Sequence, residues 1–207
     1  LTNDDGTEYT LESEGMKAGL AYYQSLFEQE FSTTRTLNPG ELEPGFADGT
    51  FGAFISGPWE IGLVRDAGVT DEQLAVAPLP GQESGIGTSF IGGGNLAVFA
   101  DARNRDGAWK FVRWLAQPDV QSDWYTTLND LPAVTAAWDS GELADDPLLA
   151  VFGEQLASGN APPAVPTWEQ VAAAIDRDVE RVARGRMTVD EAVADMQQQA
   201  ESIGTGL

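Results

Sequence analysis

The chain has 207 residues, 42% of them hydrophobic, and 11 Lys and Arg against 33 Asp and Glu give a formal net charge of −22. That length buries a substantial core as one large domain or two small ones. The acidity argues against a nucleic-acid partner, whose phosphates demand clustered cations, and disfavours anionic lipids and anionic solutes.

Cysteine and histidine are both absent. Without them there is no disulfide, thiolate ligand, Ser-His-Asp triad or imidazole acid–base group, and no cofactor or metal is expected. Asp4-Asp5-Gly6 and Asp145-Asp146 lack the spaced D-x-D-x-D-G pattern of a calcium loop and read as turns. No apolar run is long enough to span a membrane. Leu1 opens straight into a polar stretch with no initiator methionine and no signal peptide, which reads as a fragment or a processed product.

In chain order, Ser13 is placed to cap a helix that carries Met16, Leu20, Tyr23 and Phe27 at helical spacing and runs to about Phe31. A polar loop over Asn38 to Gly45 holds a possible short helix after Asn38-Pro39. Phe51 to Ile55 is a short apolar run of strand type, broken by Ser56-Gly57-Pro58, and a helix over Glu60 to Ala67 ends at Gly68. Leu74 to Ala77, Phe90-Ile91 and Leu96 to Phe99 read as strands, with a glycine-rich loop over Gly81 to Gly87 and the run Gly92-Gly93-Gly94-Asn95 between the last two.

Asp106 is placed to cap a helix with Ala108, Phe111, Val112 and Leu115 on one face. Pro118 stops that helix and opens the next, through Trp124 and Leu128. Ala133 to Trp138 and Asp146 to Leu156 read as short helices, and the proline-rich Ala161 to Pro166 as an extended crossover. A long helix near Thr167 turns Val171, Ile175, Val179 and Val182 inward and stops at Gly185. Its Asp176, Arg177, Asp178, Glu180 and Arg181 read as a solvated face of mixed sign. Thr188-x-x-Glu191 is a capping box for a final helix carrying Val193, Met196 and Ala200. Strands alternating with helices predict an α/β architecture.

The chemistry concentrates in Gly45 to Glu60, GFADGTFGAFISGPWE. An indole delivered just past a Gly-Pro turn has a fixed backbone and a free face for a flat ligand such as a sugar ring. On local evidence alone Trp59 reads rather as a core residue capping the strand end, because aromatic side chains mostly bury in cores and interfaces. Glu60 either reaches a ligand or caps the helix that follows. Gly92, Gly93 and Gly94 permit close approach of a ligand or of a neighbouring backbone, and Asn95 offers an amide for a hydroxyl. The pattern argues against a phosphate cradle, since the run lacks the GxGxxG spacing and a strand rather than a helix is expected after it. Trp168 after Pro166-Thr167 is either a second aromatic contact or a helix-start residue docked on the core. Trp109, Trp114 and Trp124 read as packing residues or as contacts to chain beyond this one, and Trp138 is ambiguous.

GFADGTFGAFISGPWE, then Val76-Ala77-Pro78-Leu79-Pro80, Gly92-Gly93-Gly94-Asn95, Ala108-Trp109-Lys110-Phe111-Val112 and Leu131-Pro132-Ala133, together resemble the C-terminal half of family 1 extracellular solute-binding proteins, the sugar-binding components of bacterial ABC importers related to maltose-binding protein. The resemblance covers nearly the whole chain. It implies a type II periplasmic-binding-protein-like fold, with residues 1–91 mostly in the C-terminal lobe, 92–161 crossing to helices on the N-terminal lobe, and 162–207 returning. It places Trp59 and Trp168 at positions where an aromatic stacks on ligand, with Gly93, Gly94, Asn95 and Glu60 nearby.

The resemblance also implies an absent N-terminal half, carrying a secretion signal and a lipid-bearing cysteine. The expected protein is extracellular or periplasmic and anchored as a lipoprotein. Its partners are a sugar or oligosaccharide, an ABC permease and the absent half. The leading expectation is therefore a binding protein without catalysis. Alternatives are an importer component for a polyol, phosphodiester or peptide, and a carbohydrate-active enzyme working through paired carboxylates such as Asp48 and Glu60.

Overall fold

The computed structural model describes residues 1–82, 85–139 and 141–207, without the Glu142 side chain. Positions 83 and 84 of the predicted glycine-rich loop therefore lie outside the described residues. The chain divides into two compact units, one of Leu1–Thr36 with Ala161–Leu207 and one of Leu37–Asn160.

The first unit is helical. Ser13 caps α1 (Glu14–Glu28) by accepting the Met16 N–H, as its position predicts. The helix ends three residues before Phe31, where Glu30 takes a left-handed φ of 60°. Helix α8 (Trp168–Ala183) packs on α9 (Val189–Ile203), and α1 lies against both. The predicted stripes meet here: Val171, Val182, Val193, Met196 and Ala200 are fully buried, with Ile175 and Val179 packed beside them.

The chain between α8 and α9 turns at Gly185. Its φ of +64° is a conformation open to glycine at little cost, and it brings the Arg186 N–H onto the Arg181 carbonyl at 2.8 Å. Thr188 and Glu191 then form the complete capping box. The Gln197 amide secures the N-terminal segment. Its Oε1 accepts from the Leu11 and Glu12 N–H groups, and its Nε2 donates to the Tyr9 carbonyl.

The second unit contains α2 (Leu42–Ala47), α3 (Trp59–Asp66), α4 (Arg105–Leu115), α5 (Pro118–Leu128), a 3-10 turn (Thr135–Asp139), α6 (Glu142–Asp145) and α7 (Pro147–Leu156). Ile61, Tyr125, Leu143 and Leu149 form its core, with Leu131, Trp138 and Phe152 packed on them. Pro118 stands in the first turn of α5, and Asp146 caps α7 through the Leu148 N–H. Asn104, and not Asp106, caps α4 by accepting the Gly107 N–H. The amide lies one residue before the first helical position, which is where a cap must stand.

The four predicted strands are corrected: among the described residues none forms a ladder. There are only isolated bridges, Thr2 with Tyr9, Pro80 with Ile86, and Phe90 with Asn160. A ladder needs a neighbouring backbone about 4.8 Å away. Phe51 to Ile55 and Leu96 to Phe99 form no bridge with another segment among the described residues. Their composition favours strand, but pairing requires a second segment.

Among the described residues no helix is long and apolar enough to cross a membrane.

Candidate functional site: an exposed indole at the start of α3

Trp59 is the first residue of α3, and the buried Pro58 serves as the N-cap. Proline presets the turn into the helix and has no N–H to leave unpaired. The indole folds back over Gly57, where a Cβ would overlap its six-membered ring. Trp59 is 50% exposed. Its ring therefore rests on backbone at one side and is open to solvent elsewhere, which excludes the alternative of a sealed core residue.

Glu60 stands next to it on the same helix. Its Oε1 accepts from the Ser56 hydroxyl at 3.1 Å. Its Oε2 is buried without a hydrogen-bond partner among the described residues. Leaving a buried carboxylate oxygen unsatisfied is costly, so this is a point where a further donor is called for. Glu60 does not cap α3 with its side chain.

The approach to this turn is also fixed. Phe46 and Phe54 meet edge to face with centroids 5.1 Å apart. The Phe51 ring lies where a Cβ on the buried Gly45 would stand. Asp48 ends α2 and accepts the Thr50 N–H at 2.9 Å. The Thr50 hydroxyl and then its N–H hold the Asp48 carboxyl below its ordinary range. No hydrogen bond among the described residues couples Asp48 to Glu60.

Gly92 to Asn95 follow the bridge at Phe90, where the Ile91 N–H donates to Asn160 and the Asn160 N–H to Ser89. Gly93 and Gly94 are exposed, have no left-handed φ, and would meet nothing on gaining a Cβ. Neither turn geometry nor crowding within this chain demands glycine there. The Asn95 side chain is exposed and makes no hydrogen bond among the described residues. Nor does any bond or ring contact among them join Gly92–Asn95 to Trp59.

Trp168 belongs to the other unit. It is the first residue of α8, half-buried against the core of Met16, Val171 and their neighbours. The Thr167 hydroxyl does not cap α8. It donates to the Gly204 carbonyl at 2.6 Å and lies 3.1 Å from the Tyr9 hydroxyl. A surface groove of about 450 Å³ in the same unit, lined in part by Tyr23, Phe27, Glu180 and Arg184, includes none of the predicted ligand residues.

Three polar side chains escape a reading of the sequence. Asp178 is only 2% exposed, which corrects its assignment to a solvated face. It lies between α8 and α9, accepts from Arg181 at 3.0 Å and from Gln199 at 3.1 Å, and shares Gln199 with Asp195. Its place three residues after Ile175 and four before Val182 was the available signal. Tyr9 and Gln155 are the others. Gln155 ties the Leu79 N–H to the Gly87 carbonyl, a role that leaves no mark in composition or periodicity.

Residues 1–151 match the family model described as bacterial extracellular solute-binding protein. The chain belongs to that family. The maltotriose-binding protein of Pyrococcus abyssi is 33% identical over 142 residues, which are 63% of this chain and 30% of that protein. The galactooligosaccharide-binding protein of Bacillus subtilis is 24% identical over 187 residues, 88% of this chain and 44% of that one.

Among solved structures, the sugar-binding protein MalE from Xanthomonas citri superposes with a TM-score of 0.90 at 28% identity. The match covers 98% of this chain and 52% of that one. The fold is thus part of a type II periplasmic-binding-protein fold. The chain spans less than half the length of these two curated relatives and about half of the MalE chain.

Proposed function

We propose that this chain is the ligand-gripping part of a sugar or oligosaccharide receptor that serves an ABC import permease. The observation that carries the reading is the half-exposed Trp59 indole, fixed at the start of α3 by Pro58 and Gly57. A sugar ring has apolar C–H faces that stack on an indole and hydroxyls that need planar polar partners. The Asn95 amide, exposed and without a hydrogen bond among the described residues, is such a partner, and Glu60 adds a carboxylate next to the indole in sequence. Gly93 and Gly94 leave room for the ring to approach the backbone. Trp168 at the start of α8 offers a second indole for stacking. The names of the relatives, which specify maltotriose and galactooligosaccharide, support an oligosaccharide.

In this reading residues 1–91 and 162–207 belong mostly to one lobe and 92–161 to the other, a division that differs from the two compact units, which keep 37–160 together. A further half of the protein completes the second lobe and supplies an extracellular lipid anchor. Ligand is captured by closure of the two lobes, and the permease recognises the closed form. Binding requires no chemistry, and none is assigned to Asp48 or Glu60. Calorimetry of the intact receptor against a panel containing maltotriose and a galactooligosaccharide tests the proposal. Saturable heat with one of them is expected, and no heat with any sugar would sink it.

A further inference from the structure

Thr167 stands at the N-cap of α8, the position from which a threonine hydroxyl ordinarily accepts an N–H of the first helical turn. Here it does not. Its backbone, at φ −99° and ψ 3°, lies in the bridge region and not in the extended region typical of a cap, so the hydroxyl is turned away from the helix. It makes two tertiary bonds instead. It donates to the Gly204 carbonyl at 2.6 Å, and the Tyr9 hydroxyl lies 3.1 Å from it. A threonine hydroxyl has one proton, and that proton goes to Gly204. The buried Tyr9 phenol is therefore the donor, and the three groups form one directed chain from Tyr9 through Thr167 to Gly204.

The chain is braced at both ends. The Tyr9 carbonyl accepts from Gln197 of α9 at 3.0 Å, and the buried Thr205 donates to the Thr7 carbonyl at 3.3 Å. Gly206 passes so close that a Cβ on it would stand 3.1 Å from the Thr167 methyl. The neighbouring Trp168 has no such fixing of its own. Its indole N–H makes no hydrogen bond among the described residues. The direction of the ring is left to packing on the core around Val171 and to the backbone it departs from, and that backbone is held at Thr167. A residue that gives up a local capping role for bonds across the fold marks a place where more than helix stability is served.

We propose that Thr167 is a positioning residue for ligand. Bonded between Tyr9 and Gly204, it sets how α8 begins and with it the direction of the Trp168 indole, and so the affinity for the sugar. That the indole meets a sugar rests on the receptor reading; that Thr167 directs it does not.

The test incorporates 5-fluorotryptophan into the intact receptor and follows the Trp168 fluorine resonance, identified by its loss in Trp168→Ala, beside calorimetry with maltotriose and a galactooligosaccharide. Thr167→Val keeps the shape of the side chain and removes the hydroxyl. It should move the Trp168 resonance, leave the other tryptophan resonances in place and weaken sugar binding about tenfold. Thr167→Ser keeps the hydroxyl and should hold both readings at the parent values. Tyr9→Phe removes only the first bond of the chain and should move the same resonance, which keeps the test open if Thr167→Val does not fold. In a Trp168→Ala background Thr167→Val should cost no further affinity.

A Trp168 resonance unmoved by these variants overturns the inference, as does unchanged affinity despite a moved resonance. A loss of affinity that persists in full in the Trp168→Ala background overturns it too, because Thr167 would then act on the fold at large. A resonance that moves as expected in a receptor giving no heat with either sugar contradicts the receptor reading and leaves the positioning of Trp168 by Thr167 standing.

Discussion

The exposure of Trp59 is set by its neighbours. Gly57 has no Cβ to hold the indole off the backbone, and Pro58 fixes the turn that aims it. Trp59→Ala removes the stacking surface and is expected to cost about 2 kcal/mol of sugar affinity, roughly thirtyfold in Kd. Gly57→Ala keeps the indole but displaces it, so affinity should fall by a similar order while the fold, read by far-UV circular dichroism, stays intact.

Residue Asp178 makes a different prediction. Burial raises its carboxyl above the ordinary 3.8, Arg181 opposes that shift, and Asp195 adds to it. A carboxyl raised in the fold holds its proton more tightly folded than unfolded. Its stabilising effect is therefore complete below 3.8 and fades as pH climbs through the raised value. Asp178→Asn cannot titrate. Its thermal midpoint should gain on that of the parent as pH rises through this window, and parallel curves would contradict the assignment. The Trp59 turn was legible because Gly-Pro-Trp is local. Asp178 was not, because an acidic residue in a charged helix looks solvated until the partner helix is placed against it.

Helices other than the four-residue α6 were legible in order and nearly in extent, because their ends carry their own chemistry: Ser13 at α1, Pro118 at α5, Asp146 at α7 and the Thr188–Glu191 box at α9. The Thr188 N–H and then its hydroxyl hold the Glu191 carboxyl below its ordinary value. Thr188→Ala should lower stability by about 1 kcal/mol near neutral pH. The benefit to Glu191 is present above its unfolded value and is lost as pH falls through the lowered one, so the gap between variant and parent should narrow in acid. A gap that stays constant with pH would show that the Thr188 hydroxyl does not act on the Glu191 carboxyl. Strands were misread for the opposite reason. Leu96 to Phe99 has the composition of a strand, but a strand is a relation between two segments, and a single segment cannot announce its partner.

At the scale of the molecule, the family and fold class were readable from the order of weak motifs, each too short to identify anything alone. The ligand was not, because the proposed contacts, Trp59, Asn95 and Trp168, are single residues far apart in the chain with no local pattern that encodes a particular sugar. A receptor that closes on its ligand predicts that the intact protein contracts in small-angle scattering when the sugar is added, with no change for the Trp59→Ala protein at the same concentration. The most direct test of the central claim is titration calorimetry of the intact receptor and its Trp59→Ala variant with the sugar that binds best, maltotriose being the first to try. The account predicts saturable binding that weakens by at least tenfold in the variant. Equal affinity in the two proteins would contradict it.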